Sequence, residues 1–89
     1  MTTLQHRPMR ADLVIAQGIS GNLVLLNIPS GLHYSLNDLG ARVWTLCDGG
    51  RTVEEIIDAL LQEYEAPVDR VREDVLTLMQ ELATEQLLK

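Results

Sequence analysis

One stretch of this 89-residue chain limits its folding options more than any other: residues 34–56, YSLNDLGARVWTLCDGGRTVEEI, in which strand-type sequence runs straight into two consecutive helices. Tyr34, Leu36, Leu39, Val43 and Trp44 are core-type residues, Asn37 and Thr52 are helix starters, and Gly49-Gly50 is a hinge. The segment specifies a shape and carries no arrangement of side chains suited to catalysis. It points to a binding module rather than an enzyme.

Upstream of it, Leu13-Val14-Ile15 and Leu23–Leu26 are apolar runs separated by Gly18, Ser20 and Gly21, which predicts a β-hairpin. Ile28-Pro29-Ser30-Gly31 supplies a second turn, with Pro pre-setting φ and Gly free to take positive φ. A third strand over Leu32–Leu36 would put Leu32, Tyr34 and Leu36 on one face and His33 and Ser35 on the other. Downstream, Asn37 caps a first helix whose apolar positions are Leu39, Val43, Trp44, Leu46 and Cys47, and Asp48-Gly49-Gly50 ends it. Thr52-Val53-Glu54-Glu55 has the form of a capping box, so a second helix starts there, burying Ile56, Ile57, Leu60, Leu61 and Tyr64. Pro67 breaks it, and a third helix covers about 68–85. The expected fold is α+β, a three-stranded antiparallel sheet followed by three α-helices. Residues 11–89 form the folded domain, and residues 1–10, with Pro8 and no regular pattern, a flexible N-terminal segment or edge extension. The helices cover one face of the sheet, and at least one strand edge stays open.

On the third helix, Val71, Val75, Leu78 and Leu82 fall within roughly 60° of one another and make a core stripe. Arg72, Leu76, Met79 and Ala83 form a second group centred roughly 90° further round. Either this helix has a wide apolar face pressed between two elements, or Leu76 and Met79 line a groove with Asp69 and Arg72 giving polar contacts at one end. Met adapts to varied side chains, and an open strand edge beside an apolar helix face suits β-augmentation. The candidate peptide-binding residues are therefore Leu32, His33, Tyr34, Ser35, Leu36, Asp69, Arg72, Leu76 and Met79.

Composition narrows the partner. Thirteen acidic against seven basic side chains give a formal net charge of −6, unfavourable for nucleic acid, whose binding depends on Lys and Arg along phosphates. A neutral or basic peptide is the more natural partner. Cys47 is the single cysteine and cannot form an internal disulfide. No signal peptide and no membrane-spanning run of about 20 apolar residues is visible, so a cytoplasmic protein with no membrane partner is expected. His6, His33 and Cys47 have no metal-ligand spacing, no glycine pattern forms a phosphate loop, and the carboxylates sit where helix exteriors need solvation. No catalytic residue, metal or cofactor is expected.

The ordered set Tyr34-x-Leu36-Asn37-x-x-Gly40-Ala41-x-x-Trp44, Asp48-Gly49-x-x-Thr52-x-x-x-Ile56, Leu60, Tyr64, Asp74-Val75, Leu78, Leu82 and Leu87-Leu88 resembles the PqqD-like family, over roughly residues 24–88. These are recognition elements for ribosomally made, post-translationally modified peptides. The resemblance implies a winged-helix-like fold and, as partner, the leader segment of a precursor peptide, bound as an added strand along the third β-strand in a cleft closed by the third helix. Two stand-alone types compete. Gly40-Ala41-Arg42-Val43-Trp44 is more like the lasso-peptide type, which presents a Tyr-x-x-Pro leader to a leader peptidase and a cyclase. Leu46-Cys47-Asp48-Gly49 is also familiar from the pyrroloquinoline quinone type, which serves a radical SAM maturase. Two further readings are a winged-helix DNA-binding protein and a scaffold that pairs its open edge with its own copy.

Overall fold

The computed structural model describes residues 3–89. Its elements are β1 (Val14–Ile19), β2 (Asn22–Asn27), β3 (Leu32–Leu36), α1 (Asp38–Leu46), α2 (Val53–Glu63) and α3 (Val68–Thr84). The α+β order of three antiparallel strands followed by three helices is as expected. The strands pair in the order β1-β2-β3, leaving β1 and β3 at the edges. Ser20 at φ 51° and Gly21 at φ 83° make the two-residue turn between β1 and β2, the positive pair that matches the twist of a tight hairpin. Gly31, at φ 73°, closes the second turn, its N–H donating to the Asn27 carbonyl at 2.8 Å.

α1 and α2 begin where a starter residue satisfies free backbone N–H groups, whereas α3 follows Pro67 with no side-chain cap. The Asn37 side chain accepts from the Gly40 N–H at 2.9 Å. At α2 the capping box is reciprocal: Thr52 Oγ1 accepts from the Glu55 N–H at 3.1 Å, and Glu55 Oε1 accepts from the Thr52 N–H at 2.9 Å. Those hydrogen bonds favour the ionised carboxyl and hold Glu55 below the usual glutamate range. At the other end of α3, Gln86 takes φ 59°. This lets the Leu87 N–H reach the Leu82 carbonyl at 2.9 Å and the Gln86 N–H reach Ala83 at 3.1 Å, the pair of bonds of a Schellman stop. Leu87 is thereby folded back onto Leu82, and both are buried.

The core has two connected parts. Between the helices, Val43, Val53, Ile56, Ile57 and Leu60 pack against Val71, Val75 and Met79 of α3. Between sheet and helices, Leu25 and Leu36 pack with Trp44, Leu82 and Leu87. α3 contributes to both, with Val71, Val75 and Met79 in the first and Leu82 in the second.

Residues 3–10, expected as a flexible segment, are instead hydrogen-bonded into the helical half. The Val53 N–H donates to His6 O at 2.8 Å, Glu54 N–H to Leu4 O at 3.1 Å, and Gly49 N–H to Pro8 O at 2.9 Å. Met9 and Arg10 form short antiparallel bridges with Asp48 and Leu88, and Pro8 is fully buried. The sequence offers no periodicity here because an extended strap that borrows its hydrogen bonds from helix ends needs none. Residues 1 and 2 of that expected segment lie outside the described residues.

Candidate functional site

The backbone of β3 presents an unused hydrogen-bonding edge. Ile19 and Asn22 close a two-residue turn and therefore form a hydrogen-bonded pair. Bonding direction alternates along an antiparallel strand. Leu23, Leu25 and Asn27 thus direct their backbone groups at Leu36, Tyr34 and Leu32. His33 and Ser35 are left with N–H and C=O groups pointing away from the sheet. An extended chain laid there would gain main-chain hydrogen bonds without displacing any.

A cleft lies beside this edge. No Cα of β3 comes within 8 Å of a Cα of α3, so the two backbones stand apart and meet only through side chains. Between them is a cavity of about 330 Å³. Tyr34, Ser35 and Leu36 form its strand wall, Asn37, Leu39 and Gly40 the end at the start of α1, and Asp74 and Leu78 its helix wall. Gly40 has a reason to be glycine here: a Cβ would stand 3.2 Å from the Leu36 side chain, crowding the strand-to-helix corner.

Tyr34 spans the cleft at its other end, its hydroxyl donating to the Glu81 carboxylate of α3. That hydrogen bond, with partial burial and the negative charges of Glu81 and Glu85, pushes the phenol up to about 12, so it stays a protonated donor at any physiological pH. On the opposite flank of α1, Arg42 forks onto Glu63 with bonds of 2.9 and 3.1 Å and holds that carboxyl below its ordinary range. Cys47 is fully buried, and burial pushes its thiol up to about 12, which leaves it neutral and unsuited to nucleophilic work. Among the described residues no group of three His, Cys, Asp or Glu side chains is placed to hold a metal ion.

The structure brings together only part of the expected set. Tyr34, Ser35 and Leu36 line the cleft. Leu32 is exposed beyond its end, and the His33 side chain lies on the outer face of the sheet with Ile15, Ile19, Val24 and Leu26. Met79 is not a groove residue: it is 1% exposed and belongs to the interhelical core. Leu76 is half-buried against that same core, and Arg72 is exposed beside it. Leu76 lies roughly 160° around α3 from Leu78, on the flank turned away from β3. Asp69 sits at the first turn of α3 with Arg70, Glu73 and Asp74, off the strand edge. The expected helix wall of Asp69, Arg72, Leu76 and Met79 and the cleft beside β3 thus lie on different parts of α3. Periodicity locates the centre of a buried stripe but is symmetric about it, and only the path of the chain decides which flank meets β3. Asp74, Leu78 and Glu81, on the flank that faces β3, are not singled out by periodicity for that reason. A signal for them existed in Tyr34, whose hydroxyl must find a polar partner from a half-buried strand position.

Comparison with known proteins matches residues 22–88 to the PqqD family, described as coenzyme PQQ synthesis protein D. A PqqA binding protein of Rhodopseudomonas palustris (strain BisB5) is 38% identical over 47 residues, 53% of this chain and 46% of that protein. The aligned part thus spans about half the length of that curated relative. A PqqA binding protein of Rhizobium meliloti (strain 1021) is 28% identical over 71 residues, 80% of this chain and 70% of that one. Among solved structures, TbiB1 in complex with the TbiA(beta) leader peptide superposes with a TM-score of 0.80 at 32% identity, covering 91% of this chain and 94% of that one. Lasso peptide synthetase B1 complexed with the leader peptide superposes equally well, TM-score 0.80, over 93% and 98% of the two chains; at 20% identity this likeness speaks for the fold.

Proposed function

This chain belongs to the PqqD family, and from that premise we propose that it is a non-catalytic recognition element that captures the leader segment of a ribosomally made precursor peptide as a fourth strand on β3. The observation that carries this reading is the outward backbone of His33 and Ser35 facing a cleft that α3 leaves unfilled. An added strand sits about 4.7–4.9 Å from its neighbour, which places it between β3 and the Asp74–Leu78 wall. Tyr34, Ser35 and Leu36 of the sequence-derived set remain in the proposed site, joined by Leu39, Asp74, Leu78 and Glu81.

We propose further that the pathway is lasso-peptide biosynthesis, in which the captured precursor is handed to a separate leader peptidase and cyclase. Similarity to TbiB1 over 91% of the chain supports this more than the 53% shared with the Rhodopseudomonas PqqA binding protein. The quinone reading, with a radical SAM maturase as recipient, is the second one, and the family match favours it. A winged-helix DNA-binding role is opposed by α3 and its C-cap, which expose Asp69, Glu73, Asp74, Glu81 and Glu85 toward any phosphate backbone. No helix of the described residues is long and apolar enough to cross a membrane.

The test is a titration of the amide spectrum with two synthetic peptides, a Tyr-x-x-Pro lasso leader and a PqqA peptide. Saturable shifts at His33, Ser35 and Leu78 with the lasso leader are expected. Tighter binding of the PqqA peptide would transfer the protein to the quinone pathway. Shifts confined to other surfaces would remove β3 as the site.

A further inference from the structure

The chemistry of the cleft also limits which peptide it accepts, an inference that rests on the strand-addition reading above. Its helix wall alternates in character along one flank of α3: Asp74, then half-buried Leu78, then Glu81. No Lys or Arg lines the cavity. The nearest cation, Arg70, stands 4.0 Å from Asp74 with its side chain 77% exposed, a contact too loose and too solvated to neutralise that carboxylate. The hydrogen-bond partner of Glu81 is the neutral Tyr34 hydroxyl rather than a cation. Leu39, at the start of α1, completes the apolar middle of the cleft.

Spacing turns this wall into a sequence rule. Along a helix Asp74 and Leu78 are about 6 Å apart, and Leu78 and Glu81 about 4.5 Å. Side chains on one face of an added strand recur every two residues, about 6.6–6.8 Å. An apolar side chain seated against Leu78 and Leu39 therefore brings its i±2 neighbours opposite Asp74 and Glu81. A carboxylate at either position would face a like charge in a partly desolvated cleft, whereas a Lys or Arg can lay its aliphatic stem along the wall and place its charge at the rim.

We propose that the cleft selects extended peptides with an apolar residue flanked, two positions away on one or both sides, by Lys or Arg, and that Asp74 and Glu81 are the residues that set this preference. Each basic residue raises affinity about two- to fivefold, as a solvent-accessible ion pair does, and the gain shrinks as salt is added.

Selection from a phage-displayed library of random dodecapeptides tests this on three forms of the whole chain: wild type, an Asp74→Asn/Glu81→Gln double variant and Ser35→Pro. Both carboxylates are exposed, and Gln retains a hydrogen-bonding partner for Tyr34, so the double variant should fold. Proline at position 35 removes an outward N–H that edge strands can spare, and circular dichroism verifies each fold. The expected result is enrichment of Lys or Arg two residues from an apolar residue on wild type, loss of that enrichment on the double variant, and no enriched peptides on Ser35→Pro. Peptides that depend on Ser35 but show no basic preference, or the same preference on the double variant, would overturn the charge rule and leave strand addition standing. Absence of any Ser35-dependent peptide would overturn both.

Discussion

The two flanks of α3 carry half-buried leucines in similar numbers and look interchangeable on a helical projection. On one flank Leu76 stands beside Arg72 and closes against the α1–α2 side of the core. On the other Leu78 stands between Asp74 and Glu81 and faces a cavity. The difference comes from what lies opposite. α2 packs on α3 directly, while β3 keeps its distance because the Asn37 cap and the tight Leu36–Gly40 corner send the chain into α1 first. The same amphipathic pattern thus produces a filled seam on one side and an open slot on the other.

The harshest way to separate the flanks from the stripe between them is Met79→Asp. A carboxylate at this buried position costs several kcal/mol, comparable with a total stability of about 4–13 kcal/mol for a chain of this length. Loss of the cooperative transition in urea is expected, and a folded variant would show that α3 can rotate. A gentler pair, Leu76→Gln and Leu78→Gln, compares the flanks directly. Each should cost about 1–2 kcal/mol in chemical denaturation. Only Leu78→Gln should weaken leader capture, by about tenfold in calorimetric titration. Equal losses of affinity would mean the slot is not the binding site. Thr52→Ala acts on neither flank and serves as a control: it removes the α2 cap, costs about 1 kcal/mol and leaves capture unchanged.

The smallest effect is in acid. Hydrogen bonds from the Gly50 and Thr52 N–H groups and from Arg42 hold Asp48, Glu55 and Glu63 below their ordinary values of 3.8, 4.5 and 4.5. Groups depressed in the folded state stabilise it above their unfolded values, and that contribution is lost as pH falls through the folded ones. The urea midpoint should therefore be flat near neutrality and decline below about pH 4.5. Glu55→Gln, which can keep the capping geometry, should make the decline shallower.

Much of the fold was legible because local signals agreed with one another. Asn37, the Thr52–Glu55 box and the two glycine turns each have a side-chain or φ requirement that only one backbone arrangement meets. The strand wall of the cleft beside β3 follows from the same logic, since Tyr34 and Leu36 alternate with Ser35 on an edge. Its helix wall does not, because choosing between Leu76 and Leu78 requires the position of α3 relative to β3. The strap formed by residues 3–10 was also hidden, as its bonds join Leu4, His6 and Pro8 to atoms more than forty residues away.

Ala11 N–H donates to Leu87 O at 3.0 Å and Lys89 N–H to Met9 O at 2.8 Å, while the Lys89 ammonium meets Asp12 at 2.9 Å. The first and last parts of the fold are thus clasped together, and none of these residues lines the slot beside β3. A covalent link between the side chains at positions 10 and 88, which face each other across a β-bridge, would restrict the unfolded chain far more than the native one, so it should raise heat resistance while the edge of β3 stays as it is.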